Sequence, residues 1–113
     1  MTKTNTNITP AELYKLTLSR DGKKMGELVG KPVTVQSWAV SDSVNTDGEI
    51  ILRTGVMVDG VAYITNSRAF SERLLAIVEY LKASGLNDEG FSFEVCKVRA
   101  KSGREYTSCE LVF

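Results

Sequence analysis

Residues 58–85 read VDGVAYITNSRAFSERLLAIVEYLKASG. Asp59-Gly60 between two apolar-rich runs signals a two-residue hairpin, because such a turn needs central residues that tolerate positive φ. The run after it, residues 61–65, makes a short strand. A helix then begins at Asn66 or Ser67. Ser67 can cap it, and Phe70, Leu74, Ile77, Val78 and Leu81 recur at the 3.6-residue period. Glu72, Arg73, Glu79 and Lys82 fall mostly elsewhere on the helix. Gly85 closes it as a C-terminal glycine. A hairpin feeding straight into an amphipathic helix restricts the folds that a strand-rich chain can adopt.

Upstream, residues 49–58 (EIILRTGVMV) read as a strand, with Gly55 as a bulge. SDSVNTDG at 41–48 is dense in turn residues. From Lys31 the period is two, and residues 32–41 make the first strand. Val33, Val35 and Ala39 fall on one face; Thr34, Gln36, Trp38 and Val40 fall on the other. Residues 22–31 carry Gly22, Gly26 and Gly30 and read as loop. Thr9-Pro10-Ala11-Glu12 opens an N-terminal helix, with Thr9 as cap, Pro10 at the first helical position and Glu12 placed for a capping box. That helix ends near Arg20-Asp21-Gly22. Residues 1–8 form a flexible polar lead-in, and residues 9–113 one domain. Downstream, residues 91–101 (FSFEVCKVRAK) form a fourth strand, Ser102-Gly103 a turn and residues 104–113 a fifth strand.

The resulting order is β-β-β-α-β-β after a short helix. It is the order of the OB-fold, a mainly β, five-stranded, partly open Greek-key barrel that often binds oligonucleotides. An open antiparallel sheet with a helix on one face shares the same string.

At 113 residues there is room for one domain with its own core, and 42% hydrophobic with 25% charged residues is a globular mix. Fourteen basic residues balance fourteen acidic ones, which excludes a strongly basic tail binder and an acidic disordered chain. Histidine is absent. Serine-histidine and cysteine-histidine catalytic arrangements, zinc-protease helices and Cys/His zinc fingers therefore fall away. Asp42, Asp47, Glu49 and Asp59 lie at turns or strand ends, where backbone geometry explains them. Gly22-Lys23-Lys24 lacks the spacing of a phosphate-binding loop. The expectation is a non-enzyme without cofactor or metal. No apolar run approaches the roughly 20 residues of a membrane helix, and the polar N-terminus is not a signal peptide, so a cytoplasmic, membrane-free setting is expected.

The last hairpin offers the best chemical constellation. With Ser102 and Gly103 as its two turn residues, Arg99 faces Tyr106, Lys97 faces Ser108 and Lys101 faces Arg104. One side then gathers Lys97, Arg99, Lys101, Arg104 and Tyr106, and a bulge near residue 95 reconciles these with Phe91 and Phe93. Single-stranded nucleic acid needs cations along its phosphates and flat rings under its bases. Trp38, on the more polar face of the first strand, is a stacking platform in this reading. Arg53 lines the groove, Lys31 is a further cation, and Tyr63, paired with Val56 across the Asp59-Gly60 turn, is a third ring. The opposing reading is a solvated cationic strand face that blocks edge aggregation, with Trp38 in the core. Cys96 and Cys109 stand opposite each other in this register, as two buried thiols or a pair close enough to cross-link.

From Val58 onward the chain resembles the small single-stranded DNA-binding proteins of tailed phages, including the phi29 type. The resemblance rests on Asp59-Gly60 with Tyr63 after it and on the helix start Thr65-Asn66-Ser67-Arg68. It continues through the Phe91-x-Phe93-x-Val95 strand and the Lys101-Ser102-Gly103 turn followed by Tyr106. It covers about half the chain, and residues 1–30 have no counterpart. It implies an OB-fold that coats exposed single strands during phage replication or recombination, in the host cytoplasm, alongside replication or recombination proteins. The acidic C-terminal tail of bacterial counterparts is missing, since the chain given ends Glu110-Leu111-Val112-Phe113. The terminal strand could instead pair with a second subunit as a homodimer. The alternatives are an OB-like protein-interaction module, as a phage structural protein or an inhibitor of a host protein, and an RNA binder.

Overall fold

A computed structural model describes residues 2–113. The chain is mainly β. Strands β1 (Thr2–Thr4), β2 (Lys23–Lys24), β3 (Pro32–Val35), β4 (Ser37–Val44), β5 (Ile50–Val58), β6 (Val61–Thr65), β7 (Phe91–Arg99) and β8 (Glu105–Val112) are joined by helices α1 (Pro10–Thr17) and α2 (Arg68–Ala83). They form two sheets, of order β1-β4-β5-β6-β2 and β3-β7-β8. No ladder among the described residues closes these sheets into a single barrel.

The five expected strands are all present, but the first is broken. β3 pairs antiparallel with β7, and β4 pairs antiparallel with β5. Gln36 lies between, its N–H donating to the Met57 carbonyl. The chain thus passes from one sheet to the other at a single residue. β7 returns through α2 to lie beside that first strand, while β5 and β6 follow on its other side. This is the 4-1-2-3 path of a Greek key. The break also resets the alternation of side chains. Val35 before it and Trp38 and Val40 after it enter the same core, with Val56, Phe70, Phe93 and Val95. Trp38, expected to face outward, is 1% exposed.

Local chemistry accounts for the elements read most directly. Asp59 and Gly60 both take positive φ (50° and 77°), as the two-residue hairpin requires, and Tyr63 pairs with Val56. Ser67 caps α2 by accepting from the Phe70 N–H. At its other end Gly85 takes φ +73°, the Gly85 N–H donates to the Lys82 carbonyl and the Leu86 N–H to the Leu81 carbonyl, so two orphan carbonyls are satisfied. Phe70, Leu74, Ile77, Val78 and Leu81 are buried against the sheets, with Phe70 edge-on to Phe93. In α1 the capping box of Thr9 and Glu12 is complete. Glu12 also accepts from Ser37 Oγ at 2.8 Å, which ties the helix start to β4. These bonds, the one from the Thr9 backbone foremost, hold the Glu12 carboxyl below its ordinary range.

The polar lead-in is ordered rather than flexible over its described residues; Met1 lies outside them. β1 pairs with β4. Asn5, buried, accepts the Trp38 N–H on its side-chain oxygen and donates its amide to Glu89. Thr6 donates its N–H and hydroxyl to the buried Asp88 carboxylate, and Asn7 donates to Glu89. The glycine-bearing stretch 22–31 is likewise more than loop. It supplies β2, parallel to β6, and a 3-10 turn over Met25–Leu28 that buries Met25 and Leu28.

The face of β4, β5 and β6 turned away from the main core is covered by α1. Leu16 is fully buried there with Ala39 and Met57, and Ile64 packs beside them. Gly55 is not a bulge: the β4–β5 register runs unbroken through the Ala39–Gly55 pair. Its role is close approach. A Cβ at Gly55 would stand 2.9 Å from the Leu16 carbonyl oxygen and 2.9 Å from Ile64 Cδ1. Gly55→Ala is therefore expected to push α1 off the sheet and to lower the unfolding free energy by about 1–3 kcal/mol, read by urea denaturation.

Candidate nucleic-acid interface

The β7–β8 hairpin carries four of the predicted cations, and its turn sets where they point. The turn has three residues, not two. Gly103 takes φ +84° and donates to the Ala100 carbonyl, and the Ala100 N–H donates to the Arg104 carbonyl. A tight turn followed by a left-handed glycine is the common three-residue solution. The extra residue shifts the pairing by one: Arg99 faces Glu105, Val98 faces Tyr106, Lys97 faces Thr107 and Val95 faces Cys109. A one-residue slip exchanges the faces of one strand relative to the other.

The consequences are specific. Phe91, Phe93, Val95, Lys97 and Arg99 share one face of β7 without a bulge, so Lys97 and Arg99 continue the core face past the end of the core. Thr107 and Glu105 lie beside them on β8. Tyr106, 37% exposed, is on the opposite face with Val98 and Cys96, so the expected Arg99–Tyr106 pair does not form. Lys101 and Arg104 are exposed at the tip. Arg99 reaches Glu105 at 4.0 Å; both side chains are exposed, and such a pair contributes little.

The remaining predicted residues lie elsewhere. Trp38 has no ring face to offer: it is buried, and its Nε1–H donates to the Asp88 carbonyl at 2.7 Å. Arg53 is committed to the fold, donating from Nε to the Leu16 carbonyl and from an Nη to the Ser19 carbonyl, where α1 leaves carbonyls unpaired. Tyr63 is half-buried against the core. Lys31 is exposed, one residue before β3.

Cys96 and Cys109 are free and no longer opposed: Cys96 faces Ser108, on the other side of the hairpin from Cys109. Burial pushes the Cys109 thiol up to about 12, so it stays protonated and unreactive near neutral pH. The Cys96 thiol is also raised, by desolvation first and then by Glu110 and Glu94.

Alternate carbonyls of β8 point away from β7, and α2 engages two of them. Ser67 Oγ donates to the Thr107 carbonyl at 3.4 Å and Arg73 Nε to the Cys109 carbonyl at 3.1 Å. α2 thus takes up two carbonyls of the strand expected to pair with a second subunit. The Ser67 contact also fixes the hairpin beside the start of α2. Lys97 Nζ lies 3.4 Å from Thr107 Oγ1, so a short chain of contacts runs from Lys97 through Thr107 to Ser67.

Next to Ser67, β6 stops at Thr65, whose partner is Thr54, and β5 runs on alone from Ile50 to Arg53 on that side. The step holds a groove of about 480 Å³ lined by Ile50, Ile51, Leu52, Asn66 and Arg68. By sequence, Asn66 and Arg68 stand at the start of the helix, and Ile50, Ile51 and Leu52 have no role beyond their strand. The signal was there in Ile50-Ile51-Leu52, three consecutive apolar residues that violate strand alternation.

Among the described residues, no helix is long and apolar enough to cross a membrane. Comparison of the chain with protein-family models, with curated proteins and with solved structures gives no match in any of the three.

Proposed function

We propose that this chain binds single-stranded DNA, without strong sequence preference and without catalysis, through the β7–β8 hairpin and the mouth between its two sheets. The observation that carries the reading is the concentration of Lys97, Arg99, Lys101 and Arg104 on one exposed hairpin. Over residues 97–107 they stand against Glu105 alone, a local charge of +3, while the whole hairpin, with Glu94 and Glu110, comes to +1 in a chain whose net charge is zero. Cations at that density suit a phosphate backbone, and Tyr106 supplies a partly exposed ring on the reverse face. The Greek-key path, the helix between its third and fourth strands and a fifth strand paired to the fourth support an OB-fold reading. In that reading the outer face of the second and third strands is taken by α1, which leaves the mouth and the hairpin for ligand. The sequence resemblance adds phage replication or recombination as the setting.

A second reading, a protein-interaction module, rests on a different surface. Tyr80, Leu86 and Phe113 are exposed, and Tyr80 stands edge-on to Phe113.

The test is anisotropy of labelled oligo-dT titrated with protein at low and moderate salt, with duplex DNA and RNA as competitors. Because Trp38 is buried, the label belongs on the oligonucleotide. Expected are binding at low salt, weaker competition by duplex, and affinity that falls as salt rises. No change in anisotropy at low salt would end the nucleic-acid reading and favour the protein module.

A further inference from the structure

We infer that the groove beside the free end of β5 is a nucleobase subsite, an inference that rests on the single-strand reading above. Its walls have the three chemistries that a splayed-out base needs. Ile50 and Leu52 give an apolar wall for a base face, and Ile50 is 77% exposed, so its side chain is open to a ligand. The exposed Asn66 is a side-chain amide with both donor and acceptor, the group that reads base edges. One cation lines the groove and a second lies two contacts away. Arg68 lines it from α2, in an exposed pair with Glu72, and Lys97 reaches Thr107, whose carbonyl Ser67 contacts.

The volume of about 480 Å³ falls within the usual range for small-molecule sites, roughly 300–1,000 Å³. Charge complementarity selects the occupant. Phosphates of one strand can run from the hairpin cations to Arg68 while an intervening base turns into the step where β6 ends. A purely apolar ligand would leave those cations unused.

The experiment compares oligo-dT with an abasic oligonucleotide of equal length, each titrated against the wild-type chain, Ile50→Ser and Asn66→Ala. Neither substitution changes charge, and both sites are exposed, so melting temperatures should match wild type. For the wild type, oligo-dT is expected to bind roughly tenfold more tightly than the abasic strand, the order of one base contact. Ile50→Ser should remove most of that difference, Asn66→Ala part of it, and abasic binding should not move. Equal binding of both strands by the wild type, or wild-type preference in Ile50→Ser, would overturn the subsite while leaving the cationic hairpin intact. Failure of both strands to bind at low salt would instead overturn the single-strand reading itself and the subsite with it.

Discussion

Trp38→Ala is expected to lower the unfolding free energy by about 3–5 kcal/mol, the range for removing a large aromatic ring from a packed core. A domain of this size has about 5–15 kcal/mol in all, so the variant should sit near the edge of folding at 37 °C. More than ring volume is lost. Trp38 lies where three segments meet: its Nε1–H holds the Asp88 carbonyl, and its N–H holds the Asn5 side chain. Asp88 in turn holds Thr6. Removing the ring leaves a cavity in the core it shares with Phe70 and Phe93 and frees the Asp88 carbonyl, which loosens the loop before β7 and, through the Asp88–Thr6 bonds, the N-terminal segment. Trp38→Phe keeps most of the packing and loses the Nε1–H bond, so its cost should be smaller, about 1–3 kcal/mol. Urea denaturation followed by circular dichroism separates the two, since the only tryptophan is the residue replaced. Whatever fraction of either variant stays folded should bind oligo-dT like the wild type. A folded Trp38→Ala with weakened binding would return the ring to the interface.

The different fates of Trp38 and the 58–85 stretch show what a sequence can disclose here. The Asp59-Gly60 turn, the bounds of β6 and the caps of α2 depend on residues within a few positions of one another, and each was legible. Trp38 was misplaced because strict alternation assumes a continuous strand. The bend at Gln36 that resets it comes from pairing with two different sheets, which no local pattern encodes. The lead-in was misread for the same reason. Asn5 and Asn7 look like solvated polar residues until Glu89, more than 80 positions away, arrives to bond them. Gly55 shows a third kind of loss: a glycine required by an approaching helix reads, in sequence, like a glycine required by a bulge. For the candidate site, composition disclosed which hairpin is cationic. The choice between a two-residue and a three-residue turn decided its faces, and Ser102-Gly103 was compatible with both.

That register matters for the second large effect. Replacing Lys97, Arg99, Lys101 and Arg104 together by glutamine should leave the domain folded and nearly abolish its affinity for single strands. All four are exposed, and the polar contacts of Lys97 and Arg99 are with the exposed side of β8, so little stability is at stake. Glutamine keeps much of the aliphatic stem that covers the strand face. If each cation neutralises one phosphate, the four contribute about −3 to the slope of log K against log salt on a single strand, close to −0.7 per contact. Between about 50 and 200 mM salt such a slope costs the wild type roughly fiftyfold in affinity, and the variant should show almost none of that dependence. Single replacements divide the effect by position. Lys97 and Arg99 lie on the face continuous with the core mouth and should affect base-containing strands most. Lys101 and Arg104 at the tip should weaken oligo-dT and abasic strands alike. A quadruple variant that keeps wild-type affinity and salt slope would make the hairpin a solvated surface, its cations serving to keep β7 and β8 from pairing with other chains.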